Sequence, residues 1–129
     1  MAGVAPEIVV TTRDHDRLQR LLDHGAAVEP LASQLQTELD RATVVEPEAL
    51  PRGVVTVDSR VIAEVVETGE RLDIHLVWPP EARIDAGRVS ILAPVGAALL
   101  GLREGQEIGW PMPNGLERTL RVLSVHPPR

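Results

Sequence analysis

A chain of 129 residues, 43% apolar and 25% charged, reads as a soluble globular domain or one small domain with an appendage. Without cysteine it excludes disulfides, thiolate nucleophiles and cysteine metal sites. Its 13 basic against 19 acidic residues, with Trp78 and Trp110 the sole aromatics, exclude a nucleic-acid binder that works by phosphate neutralisation or base stacking. No apolar run approaches the roughly 18 residues of a membrane span. No basic-then-apolar signal opens the chain, so the expected location is the cytoplasm and no membrane partner is expected.

In chain order, Thr11-Thr12-Arg13-Asp14 has capping-box spacing, with Thr11 as cap and Asp14 at the third helical position. Leu18, Leu21 and Leu22 follow at helical spacing, and His24-Gly25 supplies a left-handed stop. A second helix opens at Glu29-Pro30 and repeats Leu31, Leu35 and Leu39. Two such helices joined by a short linker predict an antiparallel helical hairpin over residues 6–45. Each helix of about 12 residues reaches roughly 18 Å. The pattern changes near Pro47–Pro51, and period-two alternation runs from residue 52 to 127. Val54–Val57 predicts a strand, Arg60–Val66 a second, and Thr68-Gly69-Glu70 a hairpin turn into Arg71–Trp78. Pro79-Pro80 stops that strand, and Arg88–Ala93 begins another. Pro94 marks a corner, Val95–Leu100 a short helix and Gly101 its end. Gln106–Trp110, a turn over Pro111–Gly115 and a last strand over Leu116–Val125 complete an α+β protein. Its strands predict a small antiparallel sheet curled around the one short helix.

Catalytic chemistry has little foothold. The histidines, His15, His24, His75 and His126, lack metal-ligand spacing, and no nucleophile elbow or phosphate-cradling glycine loop is present. The expectation is no enzyme, no cofactor and no metal. Asp23 and Glu29 flank the hairpin tip, where a carboxylate pair could hold a divalent cation, but each also suits ordinary helix-end charge. Pro94-Val95-Gly96 is either a plain strand-to-helix corner or an exposed docking loop. Trp78, before Pro79, shares its strand's apolar face with Leu72, Ile74 and Leu76.

The wording of Ala93-Pro94-Val95-Gly96-Ala97-Ala98-Leu99-Leu100-Gly101 resembles the C-terminal domain of the GreA/GreB transcription factors. Val54–Val61, Val77–Ala82 and Pro111–Gly115 extend the resemblance, and Thr37–Ala42 with Pro47–Pro51 match a branch of that family with a shortened hairpin. The resemblance implies an FKBP-like β-domain over 52–127 and a monomer that binds RNA polymerase at the rim of its secondary channel. Trp78, Pro79, Ala93, Pro94, Val95 and Gly96 would be the partner-facing residues. Gre factors carry an acidic pair at the tip of a long coiled coil that reaches the polymerase Mg²⁺. This hairpin is shorter and its acids are six residues apart. The implied role is therefore competition with Gre factors without transcript cleavage. A prolyl isomerase or a true cleavage-stimulating factor are the alternatives.

Overall fold

Local capping chemistry sets the first helix. A computed structural model describes residues 6–111 and 115–127. Strand β1 (Val9–Thr11) runs into α1 (Thr12–Asp23), and the Thr11 hydroxyl accepts the Asp14 N–H at 3.1 Å. At the other end Gly25, at φ +75°, lets its own N–H reach the Leu22 carbonyl and the Ala26 N–H reach that of Leu21. Helix α2 (Leu31–Arg41) begins one residue later than the Glu29-Pro30 pattern suggests, with Pro30 as its cap. Its end leads into strand β2 (Thr43–Val45).

β1 and β2 pair in parallel, Val9 opposite Thr43. The start of α1 therefore lies beside the end of α2. Across the pair, the Gln19 and Gln36 carboxamides each donate to the other at 2.8 Å. Leu18, Leu35 and Leu39 are buried beneath them. The β1–β2 pairing is absent from the sequence reading, because three-residue strands carry no detectable alternation and this one forms only after the helices return the chain.

The remaining strands are β3 (Arg60–Val65), β4 (Arg71–Val77), β5 (Arg88–Ser90), β6 (Glu107–Pro111) and β7 (Glu117–His126), with helix α3 (Pro94–Leu99) between β5 and β6. They form one sheet in the order β5-β4-β3-β7-β6. The β3–β4, β3–β7 and β6–β7 pairs are antiparallel, but β5 runs parallel to β4. The expected all-antiparallel sheet is thus corrected at one edge. The chain crosses from β4 to β5 through the 79–87 loop, which returns it in the same direction. The turn expected over Pro111–Gly115 lies partly outside the described residues.

Val54–Val57 is not a strand. Its residues are buried, yet only Val54 forms a bridge, to Arg103. The backbone groups go elsewhere: Val55 N–H to the Leu102 carbonyl, Thr56 N–H to the Ser59 hydroxyl, and Val57 N–H to the Asp14 carboxylate at 3.1 Å. A valine-rich run predicts burial, and here burial comes without a ladder because a helix side chain takes the donor.

One apolar cluster joins the two parts of the chain. Leu18, Leu35 and Leu39 of the helices belong to the same packed set as Val55, Val61, Leu76, Leu99, Leu102 and Leu120. Asp14 sits at this junction, 7% exposed. Burial raises its pKa above the ordinary value, opposed by the Val57 hydrogen bond and reinforced by the nearby Asp58 charge.

A raised folded-state pKa means that Asp14 contributes most to stability when protonated, and that this contribution is lost as pH rises through the raised value. Asp14→Asn keeps a carbonyl acceptor for Val57 and cannot ionise. The difference in Tm between Asp14→Asn and the parent protein should therefore shift in favour of the asparagine as pH rises from about 4 towards neutrality. Thermal melts at several pH values measure this. A difference independent of pH would mean that the junction does not feel this charge.

Candidate protein-docking surface

The corner that the sequence singles out is built by three tight hydrogen bonds. After β5, the Leu92 N–H bonds the Ser90 hydroxyl at 3.0 Å and the Ala93 N–H the Ser90 carbonyl at 2.9 Å. The Ile91 N–H extends the β4 pairing to the Val77 carbonyl at 2.9 Å. Pro94 then takes the first helical position of α3, where a missing N–H costs nothing. Ala97, Ala98, Leu99 and Leu100 are buried, while Ala93, Pro94 and Val95 are half-buried and face outward.

Gly96 lies beneath this surface and is itself buried. A Cβ there would be driven into the Ser90 carbonyl oxygen and would stand 2.9 Å from Leu76 Cδ1. Glycine is needed because the first turn of α3 packs directly on the backbone of β5. Its part in the corner is to let the helix approach, while Pro94 and Val95 supply the surface.

Ahead of β5, the loop after β4 doubles back on itself. Arg83 and Arg88 exchange both backbone hydrogen bonds at 2.9 Å, and the turn between them lifts Ile84 into solvent, 91% exposed. Together these segments frame an apolar groove of about 380 Å³. Leu72 and Ile74 of β4 form its floor, Ala82 and Ile84 one wall, and Val89, Ala93, Pro94 and Val95 the other. Arg88 and Ser90 are its polar members. This apolar groove is the candidate contact surface.

Trp78 and Pro79 lie next to the groove but do not line it. Trp78 is 5% exposed, and the Arg17 guanidinium stands over its ring at 4.3 Å. Its indole face is therefore already occupied by a cation from α1. Pro79 is half-buried and opens the short turn Pro79–Glu81 that leads to Ala82.

Asp23 and Glu29 are exposed at the turn between the helices, and each is held by its own helix. Asp23 accepts from the Gln19 carboxamide at 2.9 Å, and Glu29 accepts the Ser33 N–H at 3.0 Å. Hydrogen bonding from the Ser33 hydroxyl, and then from its N–H, holds the Glu29 carboxyl below its ordinary pKa. Among the described residues no group of three or more His, Asp or Glu side chains gathers as a metal site would require. No described helix is long and apolar enough to cross a membrane.

Sequence reasoning missed Leu72, Ala82, Ile84 and Val89 as surface residues. Ile84 carried a usable signal, a lone large apolar residue between Arg83 and Asp85 in a loop of otherwise small and charged residues. Leu72 carried none, because its alternation is identical to that of the core positions Ile74 and Leu76.

Comparison with known proteins adds a second line of observation. The family described as "Transcription elongation factor, GreA/GreB, C-term" matches residues 50–127, and the one described as "Rnk N-terminus" matches residues 6–45. The chain is 41% identical over 121 residues to the regulator of nucleoside diphosphate kinase of Escherichia coli K12, covering 93% of this chain and 89% of that one. It is 35% identical to transcription elongation factor GreA of Syntrophobacter fumaroxidans, covering 88% and 76%. Among solved structures, a prokaryotic transcription elongation factor GreA/GreB from Nitrosomonas europaea superposes with a TM-score of 0.75 at 40% identity, covering 95% of this chain and 99% of that one.

Two substitutions separate the surface of the corner from its support. Gly96→Ala should destabilise by about 2–3 kcal/mol, a loss of roughly 10 °C in Tm, because neither the Ser90 backbone nor Leu76 can retreat. Ile84→Ser should change stability by less than about 0.5 kcal/mol, as its side chain is almost wholly in water. Thermal unfolding of the two variants measures both. A large loss at Ile84 would show that the loop crown is part of the core.

Proposed function

The chain belongs to the GreA/GreB family of transcription factors, and on that footing we propose that it is a non-catalytic regulator that docks on RNA polymerase through the groove closed by Pro94 and Val95. It occupies the rim of the secondary channel and competes there with Gre factors. The observation that carries this reading is the apolar groove itself. Its floor, walls and exposed Ile84 all lie within the residues that match the GreA/GreB C-terminal description. A hydrophobic anchor of this kind, with polar residues at its margin, is where most of the energy of a protein interface resides.

In this reading residues 6–45 are a short hairpin and 52–127 an FKBP-like docking domain. The hairpin blocks and does not cleave. With 12 residues in α1, it reaches roughly 18 Å. Asp23 and Glu29 serve their own helix ends, each held by a hydrogen bond within its own helix. Names given to relatives, a regulator and an elongation factor, fit a role exerted on transcription and assign no reaction to this chain.

Val95→Asp tests the surface. An unpaired carboxylate buried in the contact should weaken binding to core RNA polymerase by 100-fold or more, on the order of 3 kcal/mol, with Tm little changed. On backtracked elongation complexes the parent protein should release no 3′ RNA fragments by itself. It should reduce the cleavage produced by an added Gre factor, and Val95→Asp should lose that effect. Stimulated cleavage by the parent protein, abolished in Asp23→Asn/Glu29→Gln, would instead identify a true cleavage factor.

A further inference from the structure

A second cavity, of about 470 Å³, lies between the first turns of α1 and the 56–58 segment. Its polar lining is Arg13, Asp14, Arg17, Asp58, Trp78 and Glu81, and Pro47 and Leu50 form an apolar side. Two of these groups are cationic and three anionic, yet among the described residues none forms an ion pair with another. Two lining groups are buried with hydrogen-bonding capacity left over. Asp14 is 7% exposed. One of its carboxylate oxygens takes the Val57 N–H, and the other has no hydrogen-bond partner among the described residues. Trp78 is 5% exposed, and its indole Nε1 donates to none of them. Trp110 Nε1 is also unpartnered, but it is sealed from the surface, whereas Trp78 Nε1 is not. Burial raises the Asp14 pKa although Val57, Arg13 and Arg17 all oppose the rise, so the ionised carboxylate is short of donors where it stands.

We propose that this cleft binds a small zwitterion of the α-amino acid class, its ammonium held by Asp14 and its carboxylate by Trp78 Nε1 and Arg17. The lining selects each end. A buried carboxylate oxygen without a donor takes an N–H, and a cationic one most strongly. Asp58 follows Val57 directly, and its charge acts on Asp14, so the cleft is most negative there. An indole N–H can only donate and therefore requires an acceptor. The Arg17 guanidinium, 4.3 Å from the centre of the same indole, makes an anion the favoured acceptor at that end. A simple amine would leave the Trp78 N–H unmatched and meet two arginines, and a simple anion would meet three carboxylates. A ligand with both charges satisfies both ends. Pro47 and Leu50 suit an aliphatic side chain, and the volume is that of a small-molecule site. Binding here requires no contact with polymerase.

The test follows the two indole N–H peaks of the chain by proton–nitrogen NMR correlation while L-valine, L-leucine or L-methionine is added at millimolar concentration. The Trp78 peak should move saturably with at least one of them, and the Trp110 peak should stay in place because its Nε1 is sealed inside. The amide of the tightest binder lacks the carboxylate, and its N-acetyl form lacks the ammonium. Each should bind at least about tenfold more weakly than the amino acid itself. Asp14→Asn retains an acceptor for Val57 and should weaken the amino acid by about tenfold or more. The exposed pair Asp58→Asn/Glu81→Gln serves if that variant fails to fold, with a loss of roughly three- to fivefold. Arg17→Met keeps an aliphatic cover on the Trp78 ring without the charge. It should weaken the amino acid and leave the affinity of its amide unchanged. No saturable movement of the Trp78 peak with any of the three amino acids would overturn the proposal. So would an amide or N-acetyl form that binds as tightly as the zwitterion.

Discussion

Val57 has a buried backbone N–H and no strand beside it, and Asp14 of α1 supplies the acceptor. Two parts of the structure depend on that one bond. It satisfies a donor in the 54–59 segment, which is therefore free to pack as a buried, non-ladder run beneath the sheet. It also fixes the base of α1 at the junction, where Thr12 adds a hydrogen bond to Glu46 at 2.8 Å and Arg17 covers Trp78. The capping box that the sequence announces is half-made as a result. Thr11 caps the Asp14 N–H, but the Asp14 carboxylate, which would ordinarily return to the cap residue, is spent on Val57.

The parallel placement of β5 has the next largest consequence. An antiparallel hairpin from β4 would have needed only a tight turn. A parallel neighbour requires the chain to travel back, and the 79–87 loop that does so holds Ile84 away from the body of the protein. β5 then ends at Ser90, whose carbonyl and hydroxyl organise the corner. The groove is thus a by-product of sheet topology. Its lining comes from β4, from the crossover, and from β5 with the start of the helix that follows.

Packing of the helices and sheet into one apolar cluster makes the relation between the N-terminal helices and the groove a property of the core. Trp78 stands where the helices meet the sheet. One side of that residue is covered by a helix arginine, and its chain continues to the groove wall. The buried Asp14 and the shared leucines hold the helices against the sheet.

Much of the architecture was legible from local chemistry. The Thr11 cap, the Gly25 stop, Pro94 at the start of a short helix and the alternation of β3, β4 and β7 are written in neighbours a few residues apart, where sterics and side-chain period act directly. The wording of the 93–101 block pointed, through resemblance, to the GreA/GreB family. What only the tertiary structure decided was partnership across the chain: β1 beside β2, Val57 against Asp14 in place of a strand, β5 parallel to β4, and Leu72 and Ile84 brought to one groove. An apolar residue declares in sequence that it will leave water, but which surface receives it is set by contacts distant along the chain, and local periodicity carries no record of them.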